Sequence, residues 1–277
     1  MKRLIILGSS GFVGKSLNDY LKKKKTFKII NFSRSVKKDI LLIKKLPKSD
    51  FIIYCINNKN IKISLKYFFH FRELLKDISK NTKILFFSSG AVYGPRSIKK
   101  NFNEKENINP KKYNKFTGYK KKYAKEKFLL ETEFKKISKN GYKVSIIRGF
   151  TFYGKYILKY DYLISKILKA VKKKSKLIIK NKNTFRTFMH SDDMCMFLIK
   201  VLEKSSFKCC IYNLGSSEVI DLEKFVNFLN KKYNSNIIFD NSNTLIDYYV
   251  PSTLKIFRDF NFKKLTSFNK GIKLLLS

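Results

Sequence analysis

Residues 8–16 read GSSGFVGKS, and two different phosphate-binding designs share parts of that string. A P-loop needs glycine, four residues, then Gly-Lys and Ser or Thr. Gly14, Lys15 and Ser16 supply the end of that pattern, but the residue five places before Gly14 is Ser9, and Gly8 is one place too far back. The spacing that holds is GxxGxxG, at Gly8, Gly11 and Gly14. It follows the apolar run Leu4–Leu7 and opens a helix-like stretch over about 12–24. Glycines in a strand–turn–helix let backbone N–H groups come close to a pyrophosphate at the helix N-terminus. The stretch therefore reads as the dinucleotide turn of a Rossmann fold.

The surroundings support that reading. Further short apolar runs lie at Phe27–Phe32, Phe51–Ile56, Ile84–Phe87 and Val144–Ile147, with helical stretches at about 61–79 and 118–139 between them. Such alternation implies a parallel sheet covered on both faces. Beyond it, helices are expected over 161–173, from near Ser191, over 221–232 and over 251–260, with strand-like runs at 177–180, 210–214 and 236–239. The fold class is α/β: a doubly wound Rossmann parallel sheet with a smaller C-terminal α/β lobe. No internal repeat or linker divides the chain.

The formal net charge is +41 over 277 residues, and four cysteines and two histidines are present. Such a charge suits a nucleic-acid binder. The lysines, however, are spread along the whole chain, and Ile, Asn, Phe and Tyr, also residues of AT-rich codons, are abundant with them. We read the charge as compositional bias, with any nucleic-acid binding non-specific and steeply weakened by salt. Cys55, Cys195, Cys209 and Cys210 form no CxxC pair, which argues against a structural zinc site and a disulfide framework. No apolar run approaches the ~18 residues of a membrane span, and LIILG is too short for a signal-peptide core. A soluble, cytoplasmic protein is expected.

Two further segments carry chemistry. The second strand ends NFSRS, where an acidic residue would bind the ribose 2′-OH of NAD. Ser33 and Arg34 stand there instead, and an arginine suits the 2′-phosphate of NADP, unless Arg34 is one more basic surface residue. After the fourth strand comes SSGAVYG (88–94), and later YAKEK (123–127). Tyr123 and Lys127 are four apart and share a helix face. A phenol ionises near pH ~10, and a neighbouring ammonium favours its anion, making it a proton acceptor closer to neutrality. It can then exchange a proton with a sugar hydroxyl or ketone while hydride moves on a nicotinamide cofactor. Tyr119 lacks this partner, since its fourth residue on is Tyr123. In so lysine-rich a stretch the pair alone decides nothing.

Taken together, these motifs resemble the extended short-chain dehydrogenase/reductase family, the NAD(P)-dependent nucleotide-sugar epimerase and dehydratase group, nearly end to end. GSSGFVG resembles its cofactor loop, KKDI its adenine-contacting segment, SSGAVYG its Ser/Thr segment and YAKEKFLLE its Tyr-Lys helix, with Glu131 at the usual later position. RGFTFYG (148–154), FRTFMHSDD (185–193) and YNLGSSEVIDL (212–222) resemble three later motifs. The resemblance implies a dinucleotide held by Gly8, Ser10, Gly11, Phe12, Val13, Gly14, Ser33, Arg34, Asp39, Ile40, Tyr123 and Lys127, with NADP expected over NAD. It implies Ser89, Tyr123 and Lys127 as the catalytic set, and Ser89, Thr151 and Arg186 as contacts to a nucleotide-diphosphate sugar. Thr151 stands where the family usually has Asn. Asp192 and Asp193 read as first-turn carboxylates favourable to the helix dipole, and His190 as a packing residue.

On this resemblance, residues 1–154 plus about 186–215 form the dinucleotide domain, and about 155–185 plus 216–277 the nucleotide-sugar lobe. The implied activity is epimerisation or 4-keto reduction in making surface-polysaccharide sugars, with a homodimer through the Tyr-Lys helix. Gly90 and Ala91 occupy the places where 4,6-dehydratases carry an acidic pair, which counts against dehydration. The stretch from Cys55 to Leu74 is short for the family, so a more open cofactor pocket is expected. A non-catalytic NADP(H) sensor on the same fold is the other alternative.

Overall fold

The computed structural model describes all residues except Lys37, Lys59, Thr117, Phe207, 241–244, 262–264 and Ser277. In chain order the strands are Lys2–Leu7 (β1), Phe27–Phe32 (β2), Phe51–Tyr54 (β3), Lys83–Ser89 (β4), Lys143–Gly149 (β5), Phe152–Tyr153 (β6), Leu177–Ile179 (β7), Thr184–Thr187 (β8), Met189–His190 (β9), Cys210–Leu214 (β10), Val219–Asp221 (β11), Ile237–Phe239 (β12) and Asp247–Tyr249 (β13). The helices are Phe12–Lys24 (α1), Ile61–Leu74 (α2), Gly118–Lys139 (α3), Leu163–Lys173 (α4), Ser191–Lys204 (α5), Leu222–Tyr233 (α6), Leu254–Phe260 (α7) and Phe268–Leu276 (α8).

The chain divides into two compact units. The first holds Met1–Gly94, Asn107–Gly149 and Cys195–Tyr212; the second holds Pro95–Glu106, Phe150–Met194 and Asn213–Ser277.

The first unit carries a six-stranded sheet in the order β10-β5-β4-β3-β1-β2. The pairs from β5 to β2 are all parallel. The order reverses between β1 and β3, the switch point at which such sheets bind ligands beyond their carboxyl ends. Strands that are buried on both faces read as unbroken apolar runs, and Phe51–Tyr54 is wholly buried. Against one face of the sheet, Phe68, Phe71 and Phe134 from α2 and α3 pack on Tyr54 and Phe86. Phe86 and Phe134 stack at 4.4 Å. The apolar run at 51–56 stops being strand after Tyr54. Cys55 N still donates to Leu7 O at 2.9 Å, and the chain then leaves the sheet as a loop. The helix expected over 61–79 is capped by Asn60 and ends at Leu74; a tight turn over Leu75–Asp77 follows, which buries Leu75 and Ile78.

The second unit has a three-stranded sheet in the order β11-β8-β13, mixed in direction, and the parallel pairs β7–β12 and β6–β9. Its core includes Phe188, Phe225 and Phe268, with the Phe188 and Phe268 rings stacked at 5.0 Å. The helix expected from 251 begins at Leu254, because Pro251 is bridged to Phe102 instead.

Candidate active site

The glycine turn is built by steric demand. Gly8 lies at φ +96°, and its N–H donates to Phe32 O at 2.9 Å. A Cβ there would meet the Cys55 backbone at 2.8 Å. Gly11 N donates to Gly8 O at 3.1 Å and caps α1 with an extended backbone. Gly14 lies directly against the loop: a Cβ would be 2.5 Å from Ser9 Cα and 2.6 Å from Gly8 O. Asn18 Nδ2 donates to the Gly14 carbonyl at 2.9 Å and pairs with Asn31 of β2. The helix is thus fastened to β2. Gly14→Ala should cost about 1–3 kcal/mol through overpacking and weaken dinucleotide binding with it. A thermal melt and a dinucleotide titration on the same variant check this; unchanged values in both would contradict the close packing.

A cleft of about 170 Å³ opens beside this turn. Of the expected cofactor residues, Gly8, Ser10, Gly11, Ser33, Arg34, Asp39 and Ile40 line it. Phe12, Val13, Gly14, Tyr123 and Lys127 are not among its lining residues: Phe12 and Gly14 are buried in the first turn of α1, Val13 is half-buried, and Tyr123 and Lys127 lie on α3. Phe32, the loop Cys55–Asn58 and Tyr67 of α2 complete the wall. Tyr67 O–H donates to Asp39 Oδ2 at 2.7 Å, while Asp39 Oδ1 accepts from Leu41 N at 3.1 Å. Burial first, then the Asp39 carboxylate, pushes the Tyr67 phenol up to about 12, so it is a donor at neutral pH. A dinucleotide suits this cleft: the glycines clear the backbone for a pyrophosphate, and the α1 N-terminus offers its dipole.

The proposed catalytic side chains come from two elements of the same unit. Ser89 ends β4, and its hydroxyl oxygen accepts from Ala91 N at 3.2 Å. The turn Gly90–Tyr93 that follows is braced by Tyr113 O–H, which donates to Val92 O at 2.7 Å. Tyr123 and Lys127 share one face of α3, with Lys127 Nζ 5.4 Å from the Tyr123 ring centre. Lys127 is buried and also donates to Ile56 O at 3.4 Å. Since Ile56 lines the cleft, this bond joins the Tyr-Lys face to the cleft wall.

Behind these residues lies a buried network. Arg148 of β5 donates to Glu131 Oε2 at 2.8 Å and to Tyr93 OH at 2.9 Å, and Ser88 O–H donates to Glu131 Oε1 at 2.7 Å. It ties α3, β4 and β5 together one helical turn beyond Lys127.

The second unit holds the remaining candidates. The Thr151 hydroxyl is buried with no hydrogen-bond partner among the described residues. Arg186 of β8 donates to the carbonyls of Phe185 and Asp247, each at 2.8 Å, and pairs with the Asp247 carboxylate. His190 packs edge-on against Tyr153 at 5.3 Å. Asp192 and Asp193 stand in the first turn of α5, and Asp193 Oδ2 accepts from Thr266 N at 2.9 Å. Sequence reasoning missed Asn57, Asn58 and Tyr67 in the cleft, the Asp247 partner of Arg186, and a buried carboxylate at Glu126.

A Rossmann sheet with a glycine turn at its switch point, and a Tyr-Lys helix beside it, is the frame of a nicotinamide-dependent enzyme. The chain belongs to the NAD dependent epimerase/dehydratase family, which matches residues 4–215. No curated protein matches it in sequence. Solved structures share its fold. The dTDP-glucose 4,6-dehydratase of Bacillus anthracis, bound to NAD, has 17% identity and a TM-score of 0.78, over 100% of this chain and 96% of that one. RMD of Pseudomonas aeruginosa, bound to NADPH, has 16% identity and a TM-score of 0.77, over 100% and 98%. The UDP-N-acetylglucosamine 4-epimerase of Bacillus cereus has 15% identity and a TM-score of 0.74, over 100% and 98%.

Proposed function

We propose that the protein is an epimerase or 4-ketoreductase acting on a nucleotide-diphosphate sugar, with NADP as cofactor rather than NAD, in making sugars for surface polysaccharide. The observation that carries this reading is the Tyr123–Lys127 face, with its ammonium 5.4 Å from the phenol ring and bonded to the cleft loop at Ile56. When bound, the dinucleotide accepts or gives a hydride. Tyr123 moves the matching proton at its phenolic oxygen, Ser89 holds the reacting sugar oxygen, and the Lys127 charge favours the phenolate. Arg186 grips the diphosphate, exchanging the Asp247 carboxylate for another anion, and Thr151 offers its hydroxyl to the sugar. Gly90 and Ala91 bring no acid to the turn after Ser89, which favours these reactions over elimination of water. The reading extends to a cytoplasmic enzyme, from its cysteine usage and short apolar runs, and to a homodimer through α3, inherited from the family resemblance.

The cofactor preference rests on Ser33 and Arg34, which line the cleft at the end of β2 where no acid stands. The nearby acid, Asp39, is already engaged by Tyr67 and Leu41. Native mass spectrometry of the purified protein identifies any retained dinucleotide. An epimerase returns its hydride within one turnover and should retain the cofactor, whereas a reductase should exchange it. Arg34→Ala should then weaken NADPH binding about tenfold, the value of one charge-assisted hydrogen bond, and leave NADH binding unchanged. Equal loss for both would remove the NADP assignment.

A further inference from the structure

Between Tyr123 and Lys127 the helix carries Glu126, and its side chain is as buried as the lysine beside it: 2% and 3% exposed. Consecutive helical residues point about 100° apart, so two long side chains meet only when both bend to one spot. Here Glu126 Oε1 lies 3.4 Å from Lys127 Nζ. A carboxylate away from water needs a countercharge or donors. Among the described residues, Lys127 is the partner that Glu126 has.

Among the described residues, several groups face this pair. From α3 there is Tyr123, under the ammonium. From β4 comes the Phe86 ring, 5.7 Å from Nζ. From β3 and the loop after it come Tyr54 and Cys55, both held neutral. Burial, then the Glu126 charge, raises the Tyr54 phenol well above its ordinary value. Burial pushes the Cys55 thiol up to about 12, against the pull of Lys127. From β5, Arg148 is matched by Glu131. Lys127 and Glu126 together therefore contribute to the charge that Tyr123 experiences.

We propose that Glu126 is a positioning residue for this site: its carboxylate anchors Lys127 Nζ beside the loop after β3 and cancels part of the positive field that Lys127 casts on the Tyr123 phenol. The proposal rests on the acid/base reading of Tyr123. An unopposed buried ammonium would favour the phenolate alone. With its countercharge in place, Tyr123 can both release and recover a proton, as a reversible hydride transfer at a sugar carbon requires.

The test is the ionisation of Tyr123 itself, followed by ultraviolet absorbance of tyrosinate in the full-length protein. Its signal is isolated by subtracting the trace of the same protein carrying Tyr123→Phe. In Glu126→Gln, which keeps the volume and removes the charge, the Tyr123 midpoint should fall by about one pH unit. An unchanged or higher midpoint overturns the proposal. Should the glutamine variant fail to fold, Glu126→Ser is read in the same way, with the same two outcomes. No turnover enters this measurement. Failure of the acid/base reading would appear separately, as full activity in Tyr123→Phe.

Discussion

Glu131→Ala should lower the stability of the chain by about 3–5 kcal/mol, the cost of leaving one partner of a buried ion pair uncompensated. Arg148 is 2% exposed, and Glu131 receives both its Nε and its Nη2 as well as the Ser88 hydroxyl. Burial opposes the Arg148 charge, but the Glu131 carboxylate and the Tyr93 phenol outweigh it and keep the guanidinium ionised. Without the carboxylate that charge stays in the sheet with one phenol oxygen for company. Urea unfolding of wild type and variant measures the difference. Replacing both partners, Glu131→Leu with Arg148→Met, should recover much of the loss, because an apolar pair of similar volume has no charge to desolvate. A loss of only about 1 kcal/mol in Glu131→Ala, the value of one ordinary hydrogen bond, would show that water reaches the pair. The loss should also reach the site, since Ser88 and Tyr93 flank Ser89 and its turn, and Glu131 stands one helical turn from Lys127.

Why some of this was legible in the chain and some not follows from where each feature is decided. The first unit was readable because its central strands are covered on both faces. Leu4–Leu7 or Phe51–Tyr54 must then be apolar at every position, and the glycines between strand and helix are fixed by local backbone contacts. In the second unit the sheet strands are TFRT, VID and DYY. Each is three or four residues long with no apolar run, and β8 finds β13 some sixty residues later through pairing that no local pattern announces. The C-terminal helix Phe268–Leu276 holds Gly271 in its middle, which weakens the helical signal.

The same division runs through the site. Within YAKEK nothing separates Lys125, which is exposed, from Glu126, which is buried. Tertiary packing decides that, on the side of α3 where Lys127 also reaches the carbonyl of Ile56 from seventy residues away. Arg186 was recognisable from its motif, but its engagement by Asp247 lies 61 residues along the chain. Asn57, Asn58 and Tyr67 enter the cleft because the chain leaves the sheet after Cys55, and an apolar run gives no sign of where it will turn.

Tyr123→Phe should reduce kcat by about 10²–10⁴-fold, the contribution of one positioned acid/base group, while dinucleotide affinity stays within about twofold. The substitution removes one oxygen and little else. The ring keeps its stack on Tyr119 at 5.7 Å and its place under the Lys127 ammonium, and it is not among the residues that line the cleft. Steady-state kinetics on whichever nucleotide sugar the wild type converts, beside a dinucleotide titration, separates the two effects. Lys127→Met is the informative contrast. It removes the charge on Tyr123 and the bond to Ile56 at once, so both turnover and dinucleotide binding should suffer. If Tyr123→Phe instead weakened the dinucleotide as much as it slowed turnover, the phenol would belong to cofactor binding. If it changed neither, the proton would have to pass through another group, and the Tyr-Lys face would be only a well-packed helix surface.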